Sequence, residues 1–504
     1  MEYLLSIMLL LLLMAFTLYF LLSKWTKNNS NMINLPPRPT PLPFIGNLHQ
    51  LGKKPHKSLA KLAEIYGPIM SIKLGQITTI VISSPNMAKE ILQTYDHFLS
   101  NRVIPNAVQV HDHHKYSITF LPISPLWRDL RKICYNQLFS NKKLDESKEI
   151  RSKKLKEFLN DINQSSLINE VVDIGNIAFK TAINLLSNII FSLDLVDSVG
   201  SVGDFKELVV NIMEECGKPN IANLFPALKM LDPQGIKGRT CVYAGKIIDI
   251  FQRLIDHRLK LREVQGVDTN NDMLNTFLNI DQANNQDMNK NKIQHLSLTL
   301  FVAGTDTMSS TLEWAMAELL KNEKVMSKAK HELEQIIGKG NSVEESDISK
   351  LPYLRAIVKE TFRLHPSVPF LIPRKANANV EICGYTIPKD AHVLVNIWTI
   401  GRNSSIWENA NLFSPERFLK LEIDVKGHNF ELIPFGAGRR ICPGLSLATR
   451  MLYLMLGSLI NCFNWKFEDG MKIDDMNMED KFGITLTKAH PVRVIPERKK
   501  NTIN

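Results

Sequence analysis

The segment that most constrains the fold of this chain is a glycine-rich loop around Cys442, at residues 434–444, with the sequence PFGAGRRICPG. Pro443 comes directly after the cysteine, and a mostly apolar run follows the loop at residues 445–460. Because proline suits the first position of a helix, the pattern places Cys442 at a helix N-terminus. The positive end of that helix, with Arg439 and Arg440, favours a thiolate over a thiol. A haem iron bound by a cysteine thiolate is the chemistry that uses such a loop.

Two other interpretations of this loop have to be weighed. An isolated cysteine beside a turn is most often a buried structural residue. The pair Gly436 and Gly438 could also begin a dinucleotide-binding loop, but Ile441 stands where the third glycine belongs. A strand–loop–helix unit with a downstream acidic residue, which that motif requires, does not follow. The full pattern around the cysteine therefore favours haem over both alternatives.

The loop matches F-x-x-G-x-R-x-C-x-G at each specified position, through Phe435, Gly438, Arg440, Cys442 and Gly444. In this it resembles the haem-binding loop of the cytochrome P-450 family. The resemblance implies a mainly α fold with a small β part, and haem b held between a central helix and the loop. It also implies that Cys442 is the axial ligand of the iron, with Phe435 and Arg440 among the residues that bind the cofactor.

The longest predicted helix covers residues 292–322, and its centre carries Gly304, Asp306 and Thr307, which are poor helix formers. Its flanks are strongly apolar, so a buried functional bend is favoured over a solvent-facing polar patch. The segment resembles the oxygen-activation motif of the family's central helix. The resemblance implies that Gly304 leaves room for dioxygen, that Thr307 delivers a proton towards it, and that Asp306 supplies protons from solvent. Met308 departs from the usual Thr or Ser.

Glu360 and Arg363 lie three residues apart, so they share a face of a predicted helix that must end before Pro366. The spacing alone is weak evidence, because surface pairs of this kind are abundant. Together with Arg417, in a Pro-Glu-Arg-Phe segment, they resemble the Glu–Arg–Arg triad of the same family. That resemblance implies a structural role for the three side chains and not a catalytic one.

Trp127 and Arg131 resemble the family's W-x-x-x-R motif, which implies that both hold a haem propionate. A planar guanidinium can bind a carboxylate through two hydrogen bonds. Arg374 and Arg440 are further candidates for the propionates, with ordinary surface charge as the alternative. The histidine-rich residues 111–114 could suggest a metal site, but a short run without a framed partner is weak evidence for one. We predict that this run belongs to a loop that covers the substrate.

An uncharged apolar stretch of twenty residues occupies positions 3–22. As a helix it would be about 30 Å long, enough to cross the hydrocarbon core of a bilayer. A cleaved signal peptide is the alternative, but its apolar region would be shorter and preceded by positive charge. Glu2 precedes the run, whereas Lys24 and Lys27 follow it, which keeps the bulk of the chain in the cytosol. With the family resemblance, we expect a single-pass anchor in the endoplasmic reticulum membrane.

The sequence divides into an anchor at residues 1–22, a polar and proline-rich linker at residues 23–45, and a haem-thiolate monooxygenase domain at residues 46–504. Five prolines fall within residues 36–43, a composition typical of a stiff extended spacer. This stretch resembles the proline hinge of microsomal P-450 enzymes. A segment rich in β-branched residues at positions 77–83 predicts a strand.

Composition and charge restrict the partners. The formal net charge of +10 suits an anionic membrane surface or an acidic protein. We expect no nucleic acid, because the basic residues are spread along the chain. The six cysteines form no CxxC pair, which argues against a zinc cluster and a disulfide scaffold. Since no flavin or nucleotide motif is present, the resemblance implies that electrons arrive from NADPH through a separate NADPH–cytochrome P-450 reductase.

The resemblance implies a monooxygenase that inserts one atom of O2 into a C–H bond of a small apolar molecule. Residues 232–236 and 481–486 are similar to segments of a plant group of terpenoid hydroxylases. This favours a monoterpenol such as geraniol, or a diterpene, as the substrate. Because one branch of that group hydroxylates tyrosine, a phenolic or amino acid substrate is the alternative. We expect residues 296–303, 368–372 and 482–485 to line the pocket.

Two other classes of haem protein are alternatives to a monooxygenase. Some relatives in the family use haem without activating oxygen, as isomerases or dehydratases. The intact Asp306 and Thr307 argue against that class. A haem protein that is not an enzyme is the third class, and consumption of NADPH in the presence of reductase and substrate separates all three.

Overall fold

A computed structural model describes residues 34–196, 202–265, 272–284, 289–468 and 473–499, with isolated positions between residues 3 and 17. The anchor predicted over residues 3–22 lies outside the described residues, apart from those isolated positions, which are helical and exposed. Within the described part, two helices are long and apolar enough to cross a membrane, Ile174–Phe191 and Leu445–Cys462. Both are mostly buried inside the domain, as core helices of a globular protein are.

The domain is mainly helical, in agreement with the predicted fold class. In chain order its described α-helices are α1 Pro55–Tyr66, α2 Pro85–Lys89, α3 Asp96–Leu99, α4 Pro125–Cys134, α5 Asn141–Glu146, α6 Lys148–Leu167, α7 Ile174–Phe191, α8 Val202–Gly217, α9 Ile221–Leu224, α10 Ile236–Gln265, α11 Met273–Asn284, α12 Lys290–Lys321, α13 Glu323–Ile337, α14 Pro352–Leu364, α15 Ile397–Ile400, α16 Arg417–Lys420 and α17 Leu445–Cys462. Two 3-10 helices, Asn106–Lys115 and Gly438–Arg440, matter for the site.

The β part is small and antiparallel for the most part. Its described strands are β1 Ile69–Leu74, β2 Ile77–Ile82, β3 Asn101–Arg102, β4 Val172–Asp173, β5 Arg374–Lys375, β6 Val380–Ile382, β7 Tyr385–Ile387, β8 His392–Val395, β9 Phe463–Phe467, β10 Asp480–Lys481, β11 Thr487–Lys488 and β12 Arg493–Arg498. The largest sheet has the order β1-β2-β8-β5-β3, in which only β2 and β8 run parallel. The strand predicted at residues 77–83 is β2.

The long helix α12 passes through the core and is buried over most of its length. It begins at Lys290 because the side chain of Asn289 accepts a hydrogen bond from the amide of Lys292, which caps the helix. It packs most extensively against α7. The ring of Phe301 lies 6.0 Å from that of Phe191 and 5.1 Å from that of Phe251, measured between centroids. The helix predicted over residues 292–322 is therefore present, with its polar centre inside the core.

The proline-rich segment lies against the first strand of the large sheet. The amide of Ser71 donates to the carbonyl of Pro37 at 2.9 Å, and its hydroxyl donates to that of Pro36 at 2.8 Å. Asn34 is fixed as well, since its side chain donates to the carbonyl of Gly384 at 2.6 Å. This part of the predicted linker is thus attached to the domain.

Candidate active site

The loop before Cys442 is held by one closing hydrogen bond and one tight glycine contact. The amide of Cys442 donates to the carbonyl of Phe435 at 2.9 Å. Gly438 has a φ of +69°, and a Cβ atom there would lie 2.0 Å from the carbonyl oxygen of Leu92, so only glycine fits. The ring of Phe435 meets that of Phe362 edge-on, with centroids 5.2 Å apart. These contacts fix the position of the cysteine relative to helix α14.

Cys442 lies just before α17, but that helix begins later than predicted. Its first residue is Leu445 and its N-cap is Gly444, whereas the sequence predicts a start at Pro443. The correction has a local reason: Pro443 and Gly444 form the turn that carries the sulfur to the end of the helix. In that position the amides of Gly444 and Leu445 act as hydrogen-bond donors to the sulfur.

The electrostatics of the Cys442 thiol also differ from the expectation. Burial raises its pKa above the ordinary value, and this effect exceeds the opposing effects of the backbone amides and of Arg131. The prediction named Arg439 and Arg440, but Arg131 is the cation that acts most strongly on the thiol. Arg439 is half exposed and lies 3.5 Å from a carboxylate oxygen of Asp96 instead. Cys442 is open to the adjoining cavity, and a thiol becomes a thiolate when it coordinates a metal ion, so the environment still suits a ligand.

An internal cavity of about 360 Å³ adjoins Cys442, a volume within the range of small-molecule sites. Its walls come from α12, the Cys442 loop, α8, α10 and the 3-10 helix Asn106–Lys115. Of the segments predicted to line it, residues 296–303 and 368–372 contribute several side chains each. Residues 482–485 contribute only Ile484.

Four arginines line this cavity: Arg102, Arg131, Arg374 and Arg440. Arg374 donates to a carboxylate oxygen of Asp96 at 2.7 Å. The other three donate to backbone carbonyls, which carry no net charge. The pKa of each guanidinium is lowered, first by burial, and for Arg102 and Arg440 next by the charges of neighbouring arginines. The cluster therefore holds more positive charge than Asp96 compensates.

Arg102 shows most directly that an anion belongs here. It stands directly opposite Arg374 in the pairing of β3 with β5, and like charges in such positions are destabilising. Its Nε is buried and has no hydrogen-bond partner among the described residues. A bound molecule with carboxylates would relieve both defects. The residues present thus fit the two propionates of haem, with Arg131, Arg374 and Arg440 as predicted and Arg102 in addition.

Trp127 reaches this cluster through its ring. Its indole N–H donates to the carbonyl of Ile118 at 3.0 Å, so in this structure the only donor of the side chain is engaged. The guanidinium carbon of Arg440 lies 4.6 Å from the ring centroid and that of Arg131 lies 5.5 Å from it. The W-x-x-x-R pair therefore contributes one cavity-lining arginine and a ring that orients two of them.

In the centre of α12, hydroxyl groups donate to carbonyls one turn earlier along the helix. Thr307, on the cavity wall, donates from Oγ1 to the carbonyl of Ala303 at 2.7 Å, and Thr311 donates to the carbonyl of Thr307 at 2.8 Å. Such bonds bend a helix and weaken its own ladder. Gly304 also lines the cavity, and a Cβ there would lie 2.9 Å from Cδ1 of Leu186.

Asp306 points away from the cavity that Thr307 lines. It is buried and does not contribute to the described cavity wall. Burial raises the pKa of its carboxyl group, and the nearby side chain of Thr485 partly opposes that rise. A carboxyl with a raised pKa exchanges protons at a higher pH than an exposed one. Its predicted role in proton supply would therefore act from the far side of the helix.

The structure brings Glu360, Arg363 and Arg417 together in one buried cluster. Arg363 donates to both carboxylate oxygens of Glu360 at 2.7 Å, and Arg417 donates to one of them at 3.1 Å. The amide of Ser414 donates to Glu360 at 2.8 Å. Because none of the three charged side chains lines the cavity, the arrangement suits the structural role that the resemblance implies.

Sequence reasoning missed two residues of the site, Arg102 and His113. The signal for Arg102 is its register opposite Arg374, which depends on strands distant in the chain. The sequence places His113 in a loop that covers the substrate but assigns it no role, and in the structure the residue lines the cavity. The described residues contain no group of three or more His, Cys, Asp or Glu side chains that could hold a metal ion.

A cysteine held at the end of a cavity, beside arginines whose charge Asp96 compensates only in part, is what a haem-thiolate protein requires. Comparison with known proteins gives the family. The cytochrome P-450 model matches residues 36–493, and the chain belongs to that family, whose members bind haem b.

Several curated plant proteins are similar over nearly the whole chain. Geraniol 8-hydroxylase of Catharanthus roseus is 52% identical over 497 residues, which cover 98% of this chain and 99% of that protein. Geraniol 8-hydroxylase of Swertia mussotii is 52% identical over 484 residues, covering 96% and 97%. Drimenol monooxygenase of Persicaria hydropiper is 49% identical over 471 residues, covering 93% of both. The chain is thus a cytochrome P-450 monooxygenase, an enzyme that requires O2, a substrate and reducing equivalents.

Proposed function

We propose that this monooxygenase hydroxylates a terpenoid, either a monoterpenol such as geraniol or a diterpene. The observation that carries the proposal is the character of the cavity. Apart from the arginines assigned to the propionates, the described residues that line it include no Asp, Glu or Lys, and most are apolar. Such a pocket binds an apolar skeleton with few polar groups. The names of the relatives at 52% identity point to the same class.

The same cavity disfavours tyrosine, the alternative substrate. An amino acid brings an ammonium group, which needs an acidic partner when it is buried. No carboxylate stands among the described residues of the cavity wall. Arg102, Arg131, Arg374 and Arg440 could bind a substrate carboxylate only in competition with the propionates. A neutral substrate therefore fits the charges of the site better.

Each part of the chain has a separate task in the proposed reaction. Haem, when bound, supplies the activation of O2, with Cys442 as the ligand whose electron density favours O–O cleavage. The arginine cluster orients the cofactor through its propionates. The apolar wall excludes water and holds the C–H bond to be oxidised. Gly304 leaves space on the wall beside Thr307.

Thr307 would deliver a proton, and the structure defines what this requires. Its hydroxyl has one proton, which it donates to the carbonyl of Ala303 at 2.7 Å. To donate into the cavity, the hydroxyl must rotate away from that carbonyl. Asp306 would resupply the proton from the other face of α12. This division of roles keeps the acid out of the apolar cavity.

We also propose that residues 3–22 anchor the enzyme in the endoplasmic reticulum membrane with the domain in the cytosol. The support is the length of the apolar run and the lysines that follow it. NADPH–cytochrome P-450 reductase would supply electrons there. Glycans found on Asn163 or Asn403, both in sequons, would show the opposite orientation.

The test of the proposed function is a binding screen on the haem-loaded enzyme. Monoterpenols, diterpenes and tyrosine are added in turn, and the shift of the haem absorption band is recorded. We expect shifts with terpenoids and none with tyrosine, followed by NADPH consumption when reductase is added. A shift with tyrosine alone would overturn the proposal.

A further inference from the structure

His113 is the one histidine among the described residues that line the cavity. It belongs to the 3-10 helix Asn106–Lys115, in which His111 and Asp112 have φ values of +48° and +56°. His and Asp are among the residues other than glycine that adopt this left-handed conformation most often. The two residues are exposed, and the irregular turn they form sends the next side chain inward.

A second histidine holds the ring of His113. Its Nδ1 lies 3.2 Å from Nδ1 of His295 on α12, and the His295 ring is stacked on Tyr116 with 5.2 Å between centroids. Burial lowers the pKa of His113 to about 3 and that of His295 to about 4. Both rings are therefore neutral at physiological pH, and a single proton lies between the two Nδ1 atoms.

The partners of His295 decide which ring donates that proton. A neutral imidazole has one N–H donor and one acceptor nitrogen. The backbone of His111 opposes the lowering of the pKa of His295, which is the effect of a carbonyl that accepts from the ring N–H. Its Nδ1 is then the acceptor, and Nδ1 of His113 is the donor. This leaves a lone pair on Nε2 of His113, which faces no donor among the described residues.

The hydroxyl groups near His113 are already engaged. Thr299 donates to the carbonyl of His295 at 2.9 Å and lies 3.0 Å from Oγ of Ser117. Thr240 donates to the carbonyl of Ile236 at 2.8 Å. Nε2 of His113 is thus an unused acceptor in a region of the cavity that is mostly apolar.

We infer that His113 binds the hydroxyl group of the substrate by accepting its hydrogen bond at Nε2. The inference rests on the proposed terpenoid function and narrows it: the substrate is an apolar chain that carries an alcohol, and it binds as a hydrogen-bond donor. With the hydroxyl held on the wall formed by the 3-10 helix, α8 and α10, the apolar part extends towards the Cys442 loop. His113 would therefore also determine which carbon is oxidised.

The experiment compares three probes that share one skeleton: geraniol, its aldehyde geranial, and its methyl ether. Dissociation constants are measured from the haem spectral shift of the loaded enzyme. We expect the alcohol to bind about tenfold more tightly than the aldehyde or the ether, the effect of one hydrogen bond to a buried acceptor. His113→Phe should reduce that ratio to near one, and His113→Gln, which keeps an acceptor oxygen, should retain part of it.

Two further variants separate binding from folding. His114→Phe changes the neighbouring histidine, which does not line the cavity, and should leave the ratio unchanged. His295→Phe frees Nδ1 of His113, so the ring can donate from Nε2 and affinity for the aldehyde should rise.

The outcomes distinguish the inference from the proposed function. If the wild-type enzyme binds all three probes equally, or if His113→Phe keeps the preference for the alcohol, His113 is not the hydroxyl site although the terpenoid function stands. A preference for the aldehyde in the wild type would show the opposite tautomer and overturn the inference. No spectral shift with any probe would overturn the proposed function and the inference with it.

Discussion

On the Cys442 side of the molecule, the buried guanidinium of Arg363 donates to Glu360 and to three backbone carbonyls. On the opposite wall, His113 lines the cavity with one ring nitrogen bonded to His295, and the described partner of the Thr307 hydroxyl is the carbonyl of Ala303 on its own helix. The first region is fully satisfied by the protein itself. The second keeps polar atoms available for a bound molecule.

The difference shows how one fold can hold a constant cofactor and bind a particular substrate. A cluster in which each charge has several partners resists change, because the loss of any member removes hydrogen bonds from a buried charge. A wall of apolar side chains with one available acceptor can change its specificity through a single residue. The arginine cluster is intermediate between these two regions, since Asp96 compensates only part of its charge and the propionates of haem would compensate the rest.

The largest expected effect is at Cys442, the proposed ligand of the haem iron. Cys442→Ala removes the thiolate, so we expect complete loss of the red-shifted band of the reduced, CO-bound protein. Cys134→Ala is a matched control, because that cysteine is fully buried and does not line the cavity. A Cys442→Ala protein that kept the band would refute the assignment of the ligand.

Arg363→Leu tests whether the buried cluster stabilises the fold as its geometry implies. It leaves the fully buried Glu360 with Arg417 as its remaining cation, and we expect a loss of about 3–5 kcal/mol in the free energy of unfolding. Urea unfolding followed by haem absorption measures this. Lys328→Leu breaks an exposed ion pair with Glu416 and should cost less than about 1 kcal/mol. Equal losses in the two variants would contradict the comparison.

Arg102→Leu tests the arginine cluster, the intermediate region of the comparison. Because Arg102 stands opposite Arg374, its removal relieves a repulsion in the protein but takes away one partner of the propionates. We expect haem to dissociate about tenfold faster, as measured by its transfer to a haem-scavenging protein. Arg493→Leu, which removes an exposed arginine paired with Glu468, serves as the control. An unchanged rate would exclude Arg102 from the haem site.

The smallest effect is expected at Thr307, where only the fate of a proton changes. Thr307→Ser keeps the hydroxyl and should stay coupled, whereas Thr307→Val keeps the shape and should release peroxide. We expect product formed per NADPH consumed to fall a few-fold in the Val variant, with haem content and substrate binding unchanged. If the Thr307→Val variant formed as much product per NADPH as the Thr307→Ser variant, the role of Thr307 would be limited to its hydrogen bond with the carbonyl of Ala303.

The parts of the site that the sequence predicts are those whose signal is local. The Cys442 loop, the strand Ile77–Ile82 and the helix Lys290–Lys321 each lie in one short window, so spacing and propensity suffice. Arg102 has no such signal, because its place in the arginine cluster depends on pairing with Arg374, which is far along the chain. His113 acquires an available acceptor only through contact with His295. The later start of α17 results from the turn at Pro443 and Gly444. The raised pKa of the Cys442 thiol results from its shielding from water. A sequence motif contains information on neither.

The attachment of the proline-rich segment has a consequence for how the enzyme meets its electron donor. Ser71 holds Pro36 and Pro37, so the chain leaves the domain at a fixed point. Eleven residues, 23–33, lie between the end of the proposed anchor, at residue 22, and Asn34. Fully extended, they reach roughly 40 Å. The domain would thus be tethered within a thin layer above the membrane, and its encounters with a reductase in the same bilayer become a problem of lateral diffusion in two dimensions.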